Sequence, residues 1–374
     1  MNRGTLILLV FGVVSGTITN AAAPDEAWTK IAPYFSPPAE FAGKLGDYRS
    51  PLTFEDGSLV RDAKDWPRRR AEILAKWNGL MGPWLELIAR PRFEVQSSEV
   101  REGYTEHAVR VEVAPGQMLA GILLVPAGKG PFPAVLVPFY EPGTSVGRPP
   151  DPKRGKFGDY GLQLARRGFV TLSIGSPGGD ARKPDRGGAV CQPLSYLGYV
   201  AVNCANALAN RSDVDAKRIG VVGHSYGGKW AMFASCLSER FAAAAWSDPG
   251  IVFDEPRANV NYWEPWYLGL DPKLAVQRKP GLVTPENPRM GAYKAMIERG
   301  MDLQELHALM APRPFLVSGG SEDGPGRWVA LNHAVAVNKM LGFEGRVGMT
   351  NRKEHTQNPE ANEVVYLFFE HFLK

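Results

Sequence analysis

Four residues have the types and the chain order to do covalent chemistry: Ser225, Asp248, Asp323 and His355. A serine hydroxyl becomes nucleophilic when a base removes its proton, and an imidazole base needs a carboxylate to hold its tautomer and stabilise the imidazolium. Ser, then Asp, then His therefore points to acyl transfer, with hydrolysis of an ester or amide through an acyl-enzyme.

The surroundings of Ser225 specify how it must be held. Ile219 to Val222 reads as a short buried strand, and Trp230, Met232 and Phe233 mark an apolar helix. Between them lies Gly223-His224-Ser225-Tyr226-Gly227, a G-x-S-x-G turn that pushes a serine hydroxyl out at the carboxyl edge of a parallel sheet. The flanking glycines are required because a side chain at Gly223 or Gly227 would meet the strand or the helix packed beside it.

Of the six histidines, His107 falls in an early strand, His224 adjoins the nucleophile, and His307, His333 and His371 fall in predicted helices. His355, in the loop RKEHTQNPE between the last strand and the last helix, is the expected base. For the acid, SGGSEDGPG delivers two carboxylates directly after a strand. Asp323 is the expected partner, three residues after Gly320, with Asp248 second and Glu322 third. The oxyanion should be met by the amide of Tyr226 and by a donor in the loop after Val137, at Phe139 or Tyr140, where the Tyr140 hydroxyl can also serve.

The elements around these residues follow from hydrophobic period. From Phe93 to Val125 the period is two, which predicts antiparallel strands opening a sheet. Phe132 to Tyr140 is a continuous apolar run, as expected of a strand buried on both faces. Strands then alternate with helices: Tyr160 to Arg167, Phe169 to Ile174, Leu194 to Asn210, the elbow, and Phe241 to Trp246. Such alternation implies right-handed crossovers and a parallel sheet.

Residues 250–300 break the alternation with prolines and aromatics, including Asn261-Tyr-Trp-Glu-Pro-Trp-Tyr-Leu-Gly269, and are expected to form a cap over the site. Trp263 and Trp266 of that stretch are candidate substrate contacts. Beyond it come a helix at Leu303 to Met310, a strand at Pro314 to Val317, a helix at Trp328 to Leu341, a strand at Gly345 to Met349 and a final helix at Glu360 to Phe372.

The expected class is thus α/β: a mostly parallel central sheet with antiparallel first strands, helices on both faces, and a cap insertion after the sixth core strand. Residues 1–23 have a basic start at Arg3, an apolar run from Leu6 to Val14 and small residues Ala21 to Ala23, the pattern of a signal peptide. Residues 24–92 are expected to be an extension docked on a core of residues 93–374, with a helix in Asp56 to Trp84. A periplasmic or secreted protein follows, without stable membrane insertion once the leader is removed. The 374 residues are 44% hydrophobic and 22% charged, which fits one large core and excludes a disordered chain. A formal charge of +4, evenly spread, gives no footprint for nucleic acid. Three cysteines, Cys191, Cys204 and Cys236, fit no zinc pattern, and neither a metal nor a cofactor is expected.

The chain resembles the α/β-hydrolase superfamily, and within it the exported carbohydrate esterases and dienelactone-hydrolase-like enzymes, most closely the bacterial relatives of glucuronoyl esterases. The likeness rests on DWPRRRAEI before the sheet, GHSYGGK at Gly223 to Lys229, LMAPRPFLVSGGSED at Leu309 to Asp323, and His355 before the last helix. It implies a secreted serine carboxylic ester hydrolase acting on acetyl, glucuronoyl or feruloyl-type esters of polysaccharide. Glucuronoyl esterases typically carry an arginine after the nucleophile and a lysine three residues further on that contacts the sugar acid. Lys229 matches that lysine; Tyr226 stands where the arginine would be. A serine peptidase of the prolyl oligopeptidase type shares the elbow, but usually brings a propeller for which this length leaves no room. A non-catalytic polysaccharide-binding protein on the same scaffold is the third reading.

Overall fold

In a computed structural model of the chain, residues 25–151, 157–258, 262–274 and 278–374 are described. The expected leader, residues 1–23, lies outside them. The elements in chain order begin with α1 (Glu26–Ile31), α2 (Trp66–Met81), β1 (Phe93–Arg101), β2 (Tyr104–Ala114), β3 (Gln117–Pro126) and β4 (Phe132–Pro138). They continue with α3 (Tyr160–Arg166), β5 (Val170–Ile174), α4 (Pro193–Ala209), β6 (Val214–His224), α5 (Tyr226–Leu237) and β7 (Ala243–Ser247). The chain closes with α6 (Gly291–Glu298), α7 (Leu303–Ala308), β8 (Phe315–Gly319), α8 (Trp328–Met340), β9 (Val347–Asn351) and α9 (Pro359–Leu373).

Among the described residues, nine strands form one sheet in the order β1-β2-β3-β5-β4-β6-β7-β8-β9. The pairs from β1 through β3 to β5 are antiparallel, and those from β5 through β4 to β9 are parallel. After β4 the chain crosses to one side to form β5, then returns past β4 to form β6. Connections leave β4 and β6 in opposite directions, and a crevice opens at their carboxyl ends, where ligands bind in open α/β sheets. The two loops that meet there are those of Tyr140 and Ser225.

Period-two alternation sorts each central strand onto two faces. Ala134 and Leu136 of β4, Ile219 and Val221 of β6, and Phe315 and Val317 of β8 face one apolar layer with α2, α4, α5, α7 and α8. Val135 and Val137, Val222 and Leu316 face the other, packed by α1, α3 and α9. Because both faces are covered, these strands read as unbroken apolar runs.

The amino-terminal helix α2 inserts Ile73 and Trp77 into the larger core, and carries a buried charge with it. Arg69, wholly buried, lies 2.8 Å from Glu305 of α7, which Lys76 also reaches at 2.7 Å. A buried charge stripped of its partner is strongly destabilising. Arg69→Met should therefore lower the free energy of unfolding by about 3 kcal/mol, read by urea titration. The described residues of 250–300 are mostly irregular, and among them is one α-helix, α6, that their sequence did not announce.

Candidate active site

The turn after β6 is closed so tightly that its residue types are dictated. A Cβ on Gly223 would lie 2.1 Å from the Gly227 carbonyl oxygen, and one on Gly227 would lie 2.2 Å from that of Pro138. Ser225 sits at φ 54°, ψ −116°, a backbone region costly for a residue with a side chain, and its N–H is held by the Ser247 carbonyl at 2.8 Å. Its hydroxyl is thereby delivered ahead of α5, at the carboxyl edge of the sheet.

His355 meets that hydroxyl: Nε2 is 2.9 Å from Ser225 Oγ, and Nδ1 is 2.7 Å from Asp248 Oδ2. With the carboxylate on Nδ1, the proton belongs there, and Nε2 is left as the acceptor. The carboxylate placed on His355 is thus that of Asp248, not the Asp323 expected from sequence. The reason lies in two adjoining loops. Asp248 has a positive φ of 49°, which turns its side chain under the imidazole. Its Oδ1 accepts the N–H groups of Gly320 at 2.6 Å, Asp323 at 2.9 Å and Glu322 at 3.2 Å. Gly320 must be glycine here, since a Cβ would lie 2.6 Å from Asp248 Oδ2.

Asp323 faces the opposite way. Its oxygens accept the N–H groups of Gly250 at 2.8 Å and Ile251 at 2.7 Å, so it fastens the chain just beyond Asp248. The two carboxyls are pushed apart in acidity. Burial raises Asp248, but the hydrogen bond and charge of His355, the charge of Arg352 and the Glu322 N–H together hold it below the ordinary range. Burial, with the neighbouring Asp248 charge, pushes Asp323 up to about 6. Glu322, the third candidate, makes an ion pair with Arg257 at 3.1 Å.

Two residues that sequence reasoning passed over complete the frame. Arg352, at the foot of the His355 loop, donates to the carbonyls of Ser318 at 2.7 Å and His355 at 2.7 Å. His224 lies 4.7 Å from the His355 ring; burial and then the charge of His355 drive its pKa well down, so it packs as a neutral ring. Only the position of Arg352 three residues before His355 marked it in the chain.

At the oxyanion side, the Tyr226 amide opens α5 beside the serine. Phe139 is removed as a second donor because its N–H is bonded to the Ile174 carbonyl at 3.0 Å. Tyr140 offers its phenol on the Ser225 side of the crevice; burial raises its pKa, against the Arg182 charge and the Ser225 hydroxyl, so it keeps its proton for donation. Its ring stacks on Tyr226 at 4.8 Å. Tyr140→Phe should lower kcat by roughly 10²–10³ with little change in KM, as measured on a small chromogenic ester.

The expected substrate contacts divide. Lys229 is buried, donates to the Pro249 carbonyl and lies 5.2 Å from the Tyr262 ring, with its pKa lowered to about 8 by burial. It braces the loop that follows Asp248. Trp263 is also wholly buried, its indole N–H donating to the Gly281 carbonyl at 3.2 Å. Trp266 does line a cavity, of about 310 Å³, together with Arg182, Lys183, Arg186, Glu264 and Arg278. Among the described residues no cluster of His, Cys, Asp and Glu could hold a metal ion. The three cysteines are free and buried.

Solved structures share this architecture over most of the chain. A glucuronoyl esterase from Solibacter usitatus superposes with a TM-score of 0.66 at 20% identity, covering 87% of this chain and 97% of that one. A promiscuous CE15 esterase from a marine bacterial metagenome gives 0.66 at 17% identity, over 87% and 96%. The fold is the α/β-hydrolase fold. A putative acetyl xylan esterase from Bacteroides fragilis has the same hydrolase fold, with a TM-score of 0.55 at 15% identity over 86% and 87%. By sequence, the model of the prolyl oligopeptidase family matches residues 201–274, the stretch of this hydrolase fold that holds the elbow. No curated protein matches the chain.

Proposed function

We propose that the protein is a serine carboxylic ester hydrolase, exported, and directed at acyl or uronoyl esters of a plant or algal polysaccharide. One observation carries the reading: Ser225, strained at its turn, lies 2.9 Å from an imidazole whose far nitrogen is 2.7 Å from a buried carboxylate. Ser225 Oγ attacks the ester carbonyl as His355 Nε2 takes its proton, and Asp248 stabilises the imidazolium. The carbonyl oxygen, now an oxyanion, is met by the Tyr226 amide and the Tyr140 phenol. Collapse breaks the bond to the alcohol, which leaves with the proton from His355. Water then repeats the sequence on the acyl-enzyme, releasing the acid and restoring Ser225. The polysaccharide ester class is supported by the likeness to a glucuronoyl esterase and to a putative acetyl xylan esterase.

The reading is tested on p-nitrophenyl acetate, acetylated xylan and a methyl ester of glucuronic acid, against a prolyl peptide amide. Turnover of one or more esters, above the amide, is expected. A folded protein inert on all three esters would reject it, and faster amide turnover would favour the peptidase suggested by the match over residues 201–274.

A further inference from the structure

Arg182 and Trp266 form a pair that the chemistry at Ser225 does not use. The Arg182 guanidinium lies over the Trp266 indole, 4.8 Å from its centroid, while Tyr267 stacks on the same ring at 5.1 Å and 23°. Arg182 and Tyr267 thus both pack on the Trp266 ring. It holds Arg182 in place. The indole is itself fixed, its N–H donating to Glu264 Oε2, and Glu264 Oε1 accepts the Gly281 N–H at 3.0 Å. Arg278, 3.8 Å from the same wholly buried carboxylate, turns its N–H groups to the carbonyls of Lys279, Gly281 and Leu282. Glu264, which lines the same cavity as Trp266, thus has the Trp266 and Gly281 N–H groups and Arg278 as partners, and the charges of Arg278 and Arg182 oppose the rise in its pKa that burial causes.

Arg182 is not matched. Among the described residues its guanidinium has no carboxylate or carbonyl partner, and neither has the Lys183 ammonium beside it. Both line the cavity of about 310 Å³, whose other cations, Arg186 and Arg278, are turned to backbone carbonyls. The cavity adjoins the crevice. Tyr267 lies 6.5 Å from Tyr226, Tyr226 stacks on Tyr140, and the Arg182 charge acts on the Tyr140 phenol. A guanidinium held against an aromatic ring, with no carboxylate or carbonyl on its N–H groups among the described residues and a second cation beside it, is a receptor for a planar or tetrahedral anion.

We propose that Arg182, positioned by Trp266 and assisted by Lys183, binds a free anionic group on the saccharide, a carboxylate or a sulfate, distinct from the ester being cleaved. The inference rests on the ester-hydrolase reading and adds that the preferred substrate is an acidic glycan.

Binding, measured without turnover, separates the two. Isothermal titration or ligand-observed NMR with glucuronic acid, glucose 6-sulfate and glucose should show the anionic sugars binding about tenfold or more tightly than glucose at low salt. That gap should close in about 0.5 M NaCl and in Arg182→Gln, and persist in part in Arg182→Lys, which keeps the charge but not the fork. A tighter carboxylate assigns a uronic acid, a tighter sulfate a sulfated sugar. Equal binding of all three sugars, or a gap that survives in Arg182→Gln, overturns the inference. Ester turnover with no such gap leaves the hydrolase reading intact and rejects the anion site. A gap with no turnover of any ester does the reverse.

Discussion

Asp248→Asn is expected to lower kcat by about 10⁴ on any ester the protein cleaves, while the fold persists. The asparagine keeps the shape and can still accept from the backbone N–H groups of the β8 loop. What it loses is the charge that opposes the imidazolium and the acceptor that keeps the His355 proton on Nδ1, so Nε2 is no longer reliably free to take a proton from Ser225. Asp323→Ala should behave differently. It leaves the N–H groups of Gly250 and Ile251 buried without partners, which costs about 1–3 kcal/mol each in stability. Its effect on kcat should be roughly 10-fold to 100-fold, through loss of position alone. Steady-state kinetics and urea unfolding on both variants separate them: activity falls most for Asp248, stability for Asp323. The opposite pattern would return the catalytic carboxylate to position 323.

Ser225→Ala should be the more severe lesion in rate and the milder in structure. Removing the nucleophile from an interdependent triad lowers kcat by roughly 10⁵–10⁶, and what persists is the contribution of the oxyanion donors and binding. The side chain is hydrogen-bonded to His355, at the mouth of the crevice, so the core is untouched. Unfolding midpoints of wild type and variant should then agree closely. Residual activity near that of wild type would remove Ser225 from the mechanism.

The difference between these sites and the ones read wrongly in the sequence is one of locality. The elbow is legible because its constraints lie within five residues: Gly223 and Gly227 are forced by contacts under 2.3 Å, and the strand and helix on either side show their own period. His355 is found by elimination, since the loop between the last strand and last helix has only one imidazole. The acid is not local. Asp248 and Asp323 both follow strands of the sheet, and which one turns to His355 depends on a positive φ at one and on three N–H groups donated by the other's loop. A signal was present in Gly320, whose missing side chain clears the space that the Asp248 carboxylate fills.

Aromatic residues of the insertion misled for a related reason. Composition marks Trp263 and Trp266 alike, but burial separates them, and the Arg182 loop that packs on Trp266 is rich in glycine and proline and has no period by which to place it. Lys229 was placed by resemblance on the substrate side. With Tyr226 next to the serine, the lysine instead runs beneath Pro249. The helix α6 went unseen because it is eight residues long and opens on a glycine at φ 57°.

The central claim is that one hydroxyl in this chain is activated by the imidazole beside it. Treatment of the folded protein with a fluorophosphonate, followed by intact-mass measurement and peptide mapping, tests it most directly. A single adduct on Ser225 is predicted, formed at a rate that falls by several orders of magnitude in His355→Ala. No adduct on the folded wild-type protein, or an equal rate of labelling without the imidazole, would contradict it.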